Sequence, residues 1–155
     1  HLPTRGLAHV RGLAHLGIDL EPAERFSQFP VAPFYQAAFV NLVRWVRDGI
    51  APPRSGPIEI EGAGIARDVH GNAKGGLRSP WVDFPCARHV TARYLRNLIG
   101  VELPFAPHRL FDLHASIGGY LERFSGGIDA LVAGRWLLPG DGETLKAEEA
   151  AQIQF

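Results

Sequence analysis

Histidine is the side chain that most readily exchanges a proton near neutral pH. One of the seven in this sequence stands in a setting suited to catalysis. His15 lies in the run Gly12-Leu13-Ala14-His15-Leu16-Gly17, whose small residues leave an imidazole room to swing over a nucleophile. A shorter copy, Gly6-Leu7-Ala8-His9, precedes it. Two copies at so short a period do not make a repeat architecture. On spacing alone, a histidine without a chemical role in a Gly/Ala loop is the simpler reading. A base also needs a nucleophile. The Gly-x-Ser-x-Gly turn that presents a reactive serine occurs at none of Ser27, Ser55, Ser79, Ser116 and Ser125. Neither Gly-rich phosphate-cradling pattern is present. Asp68-x-His70 and Cys86-x-x-His89 offer four donors of metal-binding type. Zinc sites normally show paired Cys or His at recurring spacing, so this irregular set reads as a loop histidine and a buried thiol. No metal site is expected.

The segment from Arg67 to Pro80 is the richest in polar groups. Its glycines allow the backbone to approach a ligand closely, and Asn72 and Arg78 are the side chains able to reach one. An exposed loop whose arginine pairs with Asp83 is an equally good reading. Residues 67–96 hold six basic and two acidic groups, a bias toward anionic substrates that is diffuse and open to screening.

These groups must be held by regular elements. Ala8 to Arg11 suits a short strand ending at Gly12, and residues 17–33 read as a long loop. Pro33 then opens the clearest helix, which runs to residue 48. Tyr35, Ala38, Phe39, Leu42, Val43 and Val46 recur at helical spacing. Gly49 caps it, and Pro52-Pro53 forbid its continuation. Phe39, Leu42, Val43 and Val46 are therefore expected to be buried, and Phe39→Ala to cost about 3 kcal/mol. Ile58 to Glu61 alternates as a short strand. Residues 62–80, with Gly62, Gly64, Gly71, Gly75 and Gly76, read as irregular. Trp81 to Val90 suits an extended segment broken by Pro85. Residues 107–134 read as helical with interruptions at Gly118-Gly119 and Gly126-Gly127. A last helix follows Asp141, over 143–152.

The 155 residues carry 16 Lys+Arg against 16 Asp+Glu and are 46% apolar. That balance is typical of a globular domain with a real core and unlike that of a disordered chain. Zero formal charge argues against a nucleic-acid partner. No apolar run is long enough to span a membrane. A single cysteine excludes an internal disulfide framework and leaves the compartment undetermined. Methionine is absent, even at position 1, so the chain is expected to be a fragment or processed piece. Fourteen arginines against two lysines suit a GC-rich bacterial genome.

Three segments in order carry a resemblance. Leu42 to Ser55 fits Leu-x-x-Trp-Val-x-x-Gly-x-x-Pro-Pro-x-Ser. Asp68, Gly71-Asn72, Gly75-Gly76, Arg78, Pro80, Val82-Asp83 and Pro85 form a second landmark, and Leu131 to Asp141 a third. Together they resemble a bacterial α/β-hydrolase-domain family, from about residue 9 to residue 151. The resemblance implies an α/β fold, here its C-terminal part, mostly helical with a few short strands. It implies a single partial domain over 1–155 and a triad in the order Ser, acid, His. His15, in a Gly-x-Ala-His-type turn after a strand end at Val10-Arg11, fits the triad histidine. His9 fits less well, its spacing to the Trp45 helix being six residues longer. Nucleophile and acid would lie upstream, in a partner part of the same domain. The parent would hydrolyse a small ester-like substrate without a cofactor, with Asn72 and Arg78 as substrate contacts and one or the other within a side-chain length of His15. The chain alone would be inactive, would expose apolar surface and would associate. A different class stays open: a stand-alone binding module using the Gly-rich loop 67–83.

Overall fold

The computed structural model describes residues 20–94 and 99–154. A two-residue strand, β1 (Arg25–Phe26), leads into the helix α1 (Val31–Asp48). A small hairpin follows, β2 (Ile60–Glu61) with β3 (Gly64–Ile65). One helical turn, α2 (Pro80–Asp83), precedes the paired strands β4 (Ala87–Tyr94) and β5 (Ile99–Pro104). Three helices come last: α3 (Pro107–His114), α4 (Ile117–Ala133) and α5 (Pro139–Gln152). The larger sheet has the order β1-β5-β4 and is antiparallel throughout.

The core sits between α4 and α5. Tyr120, Phe124, Ile128 and Leu131 recur at i, i+4, i+8 and i+11, one face of a helix, and meet Leu137 and Leu145. Trp81 of α2 stands edge-on to Phe124, with ring centroids 5.0 Å apart. Gly118-Gly119 and Gly126-Gly127 do not interrupt α4, contrary to expectation. The break lies earlier, at Ala115 with φ 63°, and Ser116 caps the new helix by accepting from the Gly119 amide at 3.1 Å. A mid-helix glycine costs about 1 kcal/mol relative to alanine. Gly127 offsets this by letting α2 approach, because a Cβ there would stand 2.6 Å from Pro80 Cγ.

The helix α1 forms as its periodicity predicts, but its stripe is not buried. Phe39 is 67% exposed, Leu42 50%, Val43 42% and Val46 81%. The buried positions are Ala37 and Asn41 on the other side. Asn41 donates to the Arg135 carbonyl at 2.7 Å, and Arg135 donates to the Ala51 carbonyl at 2.9 Å. The helix therefore rests on the α4–α5 turn through a narrow, partly polar face. Its broad apolar face is left largely exposed.

Other boundaries also differ from expectation. β1 lies within the predicted loop 17–33. Residues 80–83 are helical rather than extended, and the last helix starts at Pro139 rather than residue 143.

Candidate active site

The polar segment is a built turn rather than a slack loop. Asp68 Oδ1 accepts from the amides of His70 at 2.9 Å and Asn72 at 3.0 Å, and the Asp68 carbonyl accepts from Gly71 at 2.9 Å. Such local carboxylate bonding offers the backbone an alternative to regular structure. Gly71 takes φ 82°, a left-handed conformation that glycine adopts without steric cost. Isolated bridges join Arg67 to Ala73 and Ile58 to Gly75. The irregular reading of residues 62–80 is thus corrected by β3 at Gly64–Ile65, by these bridges and by the start of α2 at Pro80.

Asn72 is only 1% exposed. Its Oδ1 accepts from the His89 amide at 2.8 Å and its Nδ2 donates to the Ala87 carbonyl at 3.3 Å. The side-chain amide thus takes the place of a backbone partner along the edge of β4. Arg78 donates to Asp83 at 2.6 Å, to the Ala73 carbonyl at 2.8 Å and to the Val82 carbonyl at 3.3 Å. Both residues fasten the turn, Asn72 to the sheet and Arg78 to α2. His15 and His9 lie outside the described residues, and with them the expected closeness of His15 to Asn72 and Arg78.

A cavity of about 230 Å³ opens beside the turn, lined mainly by Phe29, Ile65, Val82 and Val101, with Asn72 and His89 in its wall. Behind His89 lies a more polar cavity of about 160 Å³ that includes Arg25, Glu102, Cys86 and Glu149. The sheet builds this polar wall by register. Glu102 of β5 lies opposite His89 of β4 and opposite Arg25 of β1. The three side chains form one row, with Arg25 Nε 2.6 Å and His89 Nδ1 3.6 Å from the Glu102 carboxylate. His89 Nδ1 is buried and makes no hydrogen bond. Burial holds the imidazole below the ordinary histidine range, against the opposing pull of Glu102. Sequence reasoning passed over this row. A glutamate between Val101 and Leu103 is its one signal, readable only once residues 99–104 are taken as a strand.

The cysteine has a histidine neighbour, but not the one its spacing suggests. Cys86 Sγ is 3.9 Å from His114 Nε2. His114 Nδ1 lies 3.1 Å from Arg123 Nη2 and its Nε2 lies 3.2 Å from the Pro85 carbonyl. The arginine only donates, so Nδ1 accepts and Nε2 carries the proton toward Pro85. His114 is therefore not oriented to take a proton from Cys86. Burial pushes the thiol up to about 11, opposite to what a thiolate nucleophile requires. Among the described residues no three His, Cys, Asp or Glu side chains converge to hold a metal ion.

No described serine sits at the apex of a strand-to-helix turn. Ser27 follows β1, but its amide still donates to the Gly100 carbonyl at 3.1 Å, continuing the ladder. Its Oγ accepts from Phe29 at 3.3 Å. Ser79 and Ser116 are helix N-caps.

His89 and His114 are both lowered, with burial as the largest cause. The unfolded chain then binds more protons than the folded one between their folded values and about 6.5, and stability rises with pH across that window. The melting temperature is expected to fall as pH is lowered from about 7 to about 5. His114→Gln should flatten that profile. An equal or steeper fall in the variant would contradict the assignment.

The architecture is mostly helical with small antiparallel sheets. A family model for the alpha/beta hydrolase domain matches residues 8–147. The match covers most of the 155 residues, and the chain belongs to that family. No curated protein and no solved structure matches it. No helix among the described residues is long and apolar enough to cross a membrane.

Proposed function

We propose that this chain is the C-terminal segment of a bacterial serine-type α/β-hydrolase acting on a small ester-like substrate. In this reading His15 is the triad histidine. It takes the proton of a serine on the upstream part of the domain and later activates water, while an upstream Asp or Glu orients its ring. The chemistry requires no cofactor. Asn72 and Arg78 serve substrate binding by holding the turn that forms one side of the apolar cavity. The stripe on α1 is the surface that the nucleophile-bearing part covers. The family match over residues 8–147 carries the reading. It also favours hydrolysis over a binding module at 67–83, where Asn72 and Arg78 are occupied in holding the turn.

The test is turnover of a p-nitrophenyl ester. The 155-residue chain is expected to hydrolyse it no faster than buffer, since nothing described presents a serine with oxyanion donors. The upstream region joined to the chain should restore activity. His15→Ala in that complete protein should lower kcat by about 10⁴-fold, as loss of a triad member does. Turnover by the chain alone that vanishes in His15→Ala would overturn the fragment reading. Full activity of the complete protein carrying His15→Ala would overturn the histidine assignment.

A further inference from the structure

The geometry points to an anion-binding groove on the opposite side of the Asp68–Asn72 turn, for a small organic molecule bearing a carboxylate or phosphate group. The groove has a volume of about 590 Å³ and runs between this turn and the start of α3. Its polar side chains are His70, Arg88, His108 and Arg109, and no acidic residue lines it among those described. The chain as a whole has zero formal charge, so this excess is local.

Strand alternation explains why Arg88 is available. Its neighbour His89 belongs to the row with Glu102, and successive side chains of a strand point to opposite faces. Arg88 is thereby turned away from Glu102 and paired in register with Leu103. Its guanidinium forms no ion pair with an acidic side chain among the described residues. The arm lies directly against Gly71, where a Cβ would stand 3.0 Å from Arg88 Cδ and Nε. The glycine required by the turn is also what leaves the arm its place.

Arg109 is held in position from two sides. Its guanidinium carbon stands 3.8 Å from the centre of the Phe105 ring, and its Nη2 is 3.3 Å from His70 Nδ1. Neither partner is an anion, so the positive charge is oriented but not neutralised. Planar guanidinium forks match the paired oxygens of carboxylate and phosphate. The start of α3 adds to them without carrying the argument. Ala106 provides no side-chain cap, and Pro107 occupies the first turn. The first amides of a helix have no intrahelical partner and favour negative charge. Leu103, Pro104 and Phe105 supply an apolar wall for an organic body next to the anionic group.

The test is calorimetric titration of the full 155-residue chain at low salt with phenyl phosphate, phenylacetate and inorganic phosphate. Saturable binding of phenyl phosphate or phenylacetate is expected, with inorganic phosphate weaker because it lacks the apolar body. The preference between the two aromatic probes distinguishes a phosphate site from a carboxylate site. Arg88→Ala and Arg109→Lys should each weaken binding about tenfold, the first by losing a charge-assisted bond and the second by losing the fork. Arg88 is exposed and holds no ion pair, so its removal leaves the fold intact. Lys74→Ala, which removes a cation paired with Glu59 at 3.1 Å and absent from the groove, should leave affinity unchanged. Absence of saturable binding by all three probes would overturn the proposal. So would an equal loss in Lys74→Ala, the mark of diffuse attraction. The readout is binding and does not depend on the hydrolase reading.

Discussion

Phe124→Ala is expected to cost about 3–5 kcal/mol, the range for removing a buried aromatic ring. Phe124 is 0% exposed. It touches Trp81 edge-on, and its ring centroid is 5.7 Å from that of Tyr120. The surrounding wall is built from α2, α4 and α5 together, so it cannot collapse into the void without moving all three. For a domain of this size each kcal/mol shifts the melting temperature by about 2–4 °C, and the variant should melt roughly 10 °C early. Phe39→Ala provides the contrast. Its ring is 67% exposed, so the change should stay within about 0.5 kcal/mol, as surface substitutions do. Thermal denaturation of the two variants at one low concentration checks both. A larger loss at Phe39 than at Phe124 would mean that the core has been misplaced.

Asn72→Ala should be the costliest change in the polar turn. It strips the His89 amide and the Ala87 carbonyl of their side-chain partner at once. A buried polar group left unsatisfied costs about 1–3 kcal/mol, so a loss of about 2–4 kcal/mol is expected if water reaches neither fully. The damage should be local. The His89 amide should exchange with solvent much faster in the variant, while amides in α4 shift only with global stability. Unchanged exchange at His89 would show that the side-chain bond does not hold the strand edge.

The two substitutions also mark what could be read from the chain. Helical period was legible in α1 because 3.6-residue recurrence is a local property. Burial was not, because it depends on what packs against the helix, and Phe39 and Val46 are mostly exposed. In α4 the reverse held. Gly126-Gly127 looked like an interruption because propensity is local, whereas the tight approach of Pro80 to Gly127 is a long-range fact. Asn72 and Arg78 stood out in the sequence as side chains able to reach a ligand, and the structure has them fastening the turn to β4 and α2. That Asn72 spends its amide on the edge of β4 follows from a pairing 15 and 17 residues away in the chain. The row Arg25–Glu102–His89 was missed because it exists only through the register of three strands, one of them two residues long.

The exposed stripe on α1 has a thermodynamic consequence. In the proposed complete enzyme, the part that covers Phe39, Leu42 and Val46 contacts the folded helix and has little to hold on the unfolded chain. By mass action such contact adds to stability in proportion to the logarithm of the partner's effective concentration. A covalently joined partner is present at roughly millimolar effective concentration or above. On that proposal, the stability of these residues is a property of the whole polypeptide. The same residues, studied apart, will melt at a temperature that rises with their own concentration wherever the stripe finds a second copy of itself.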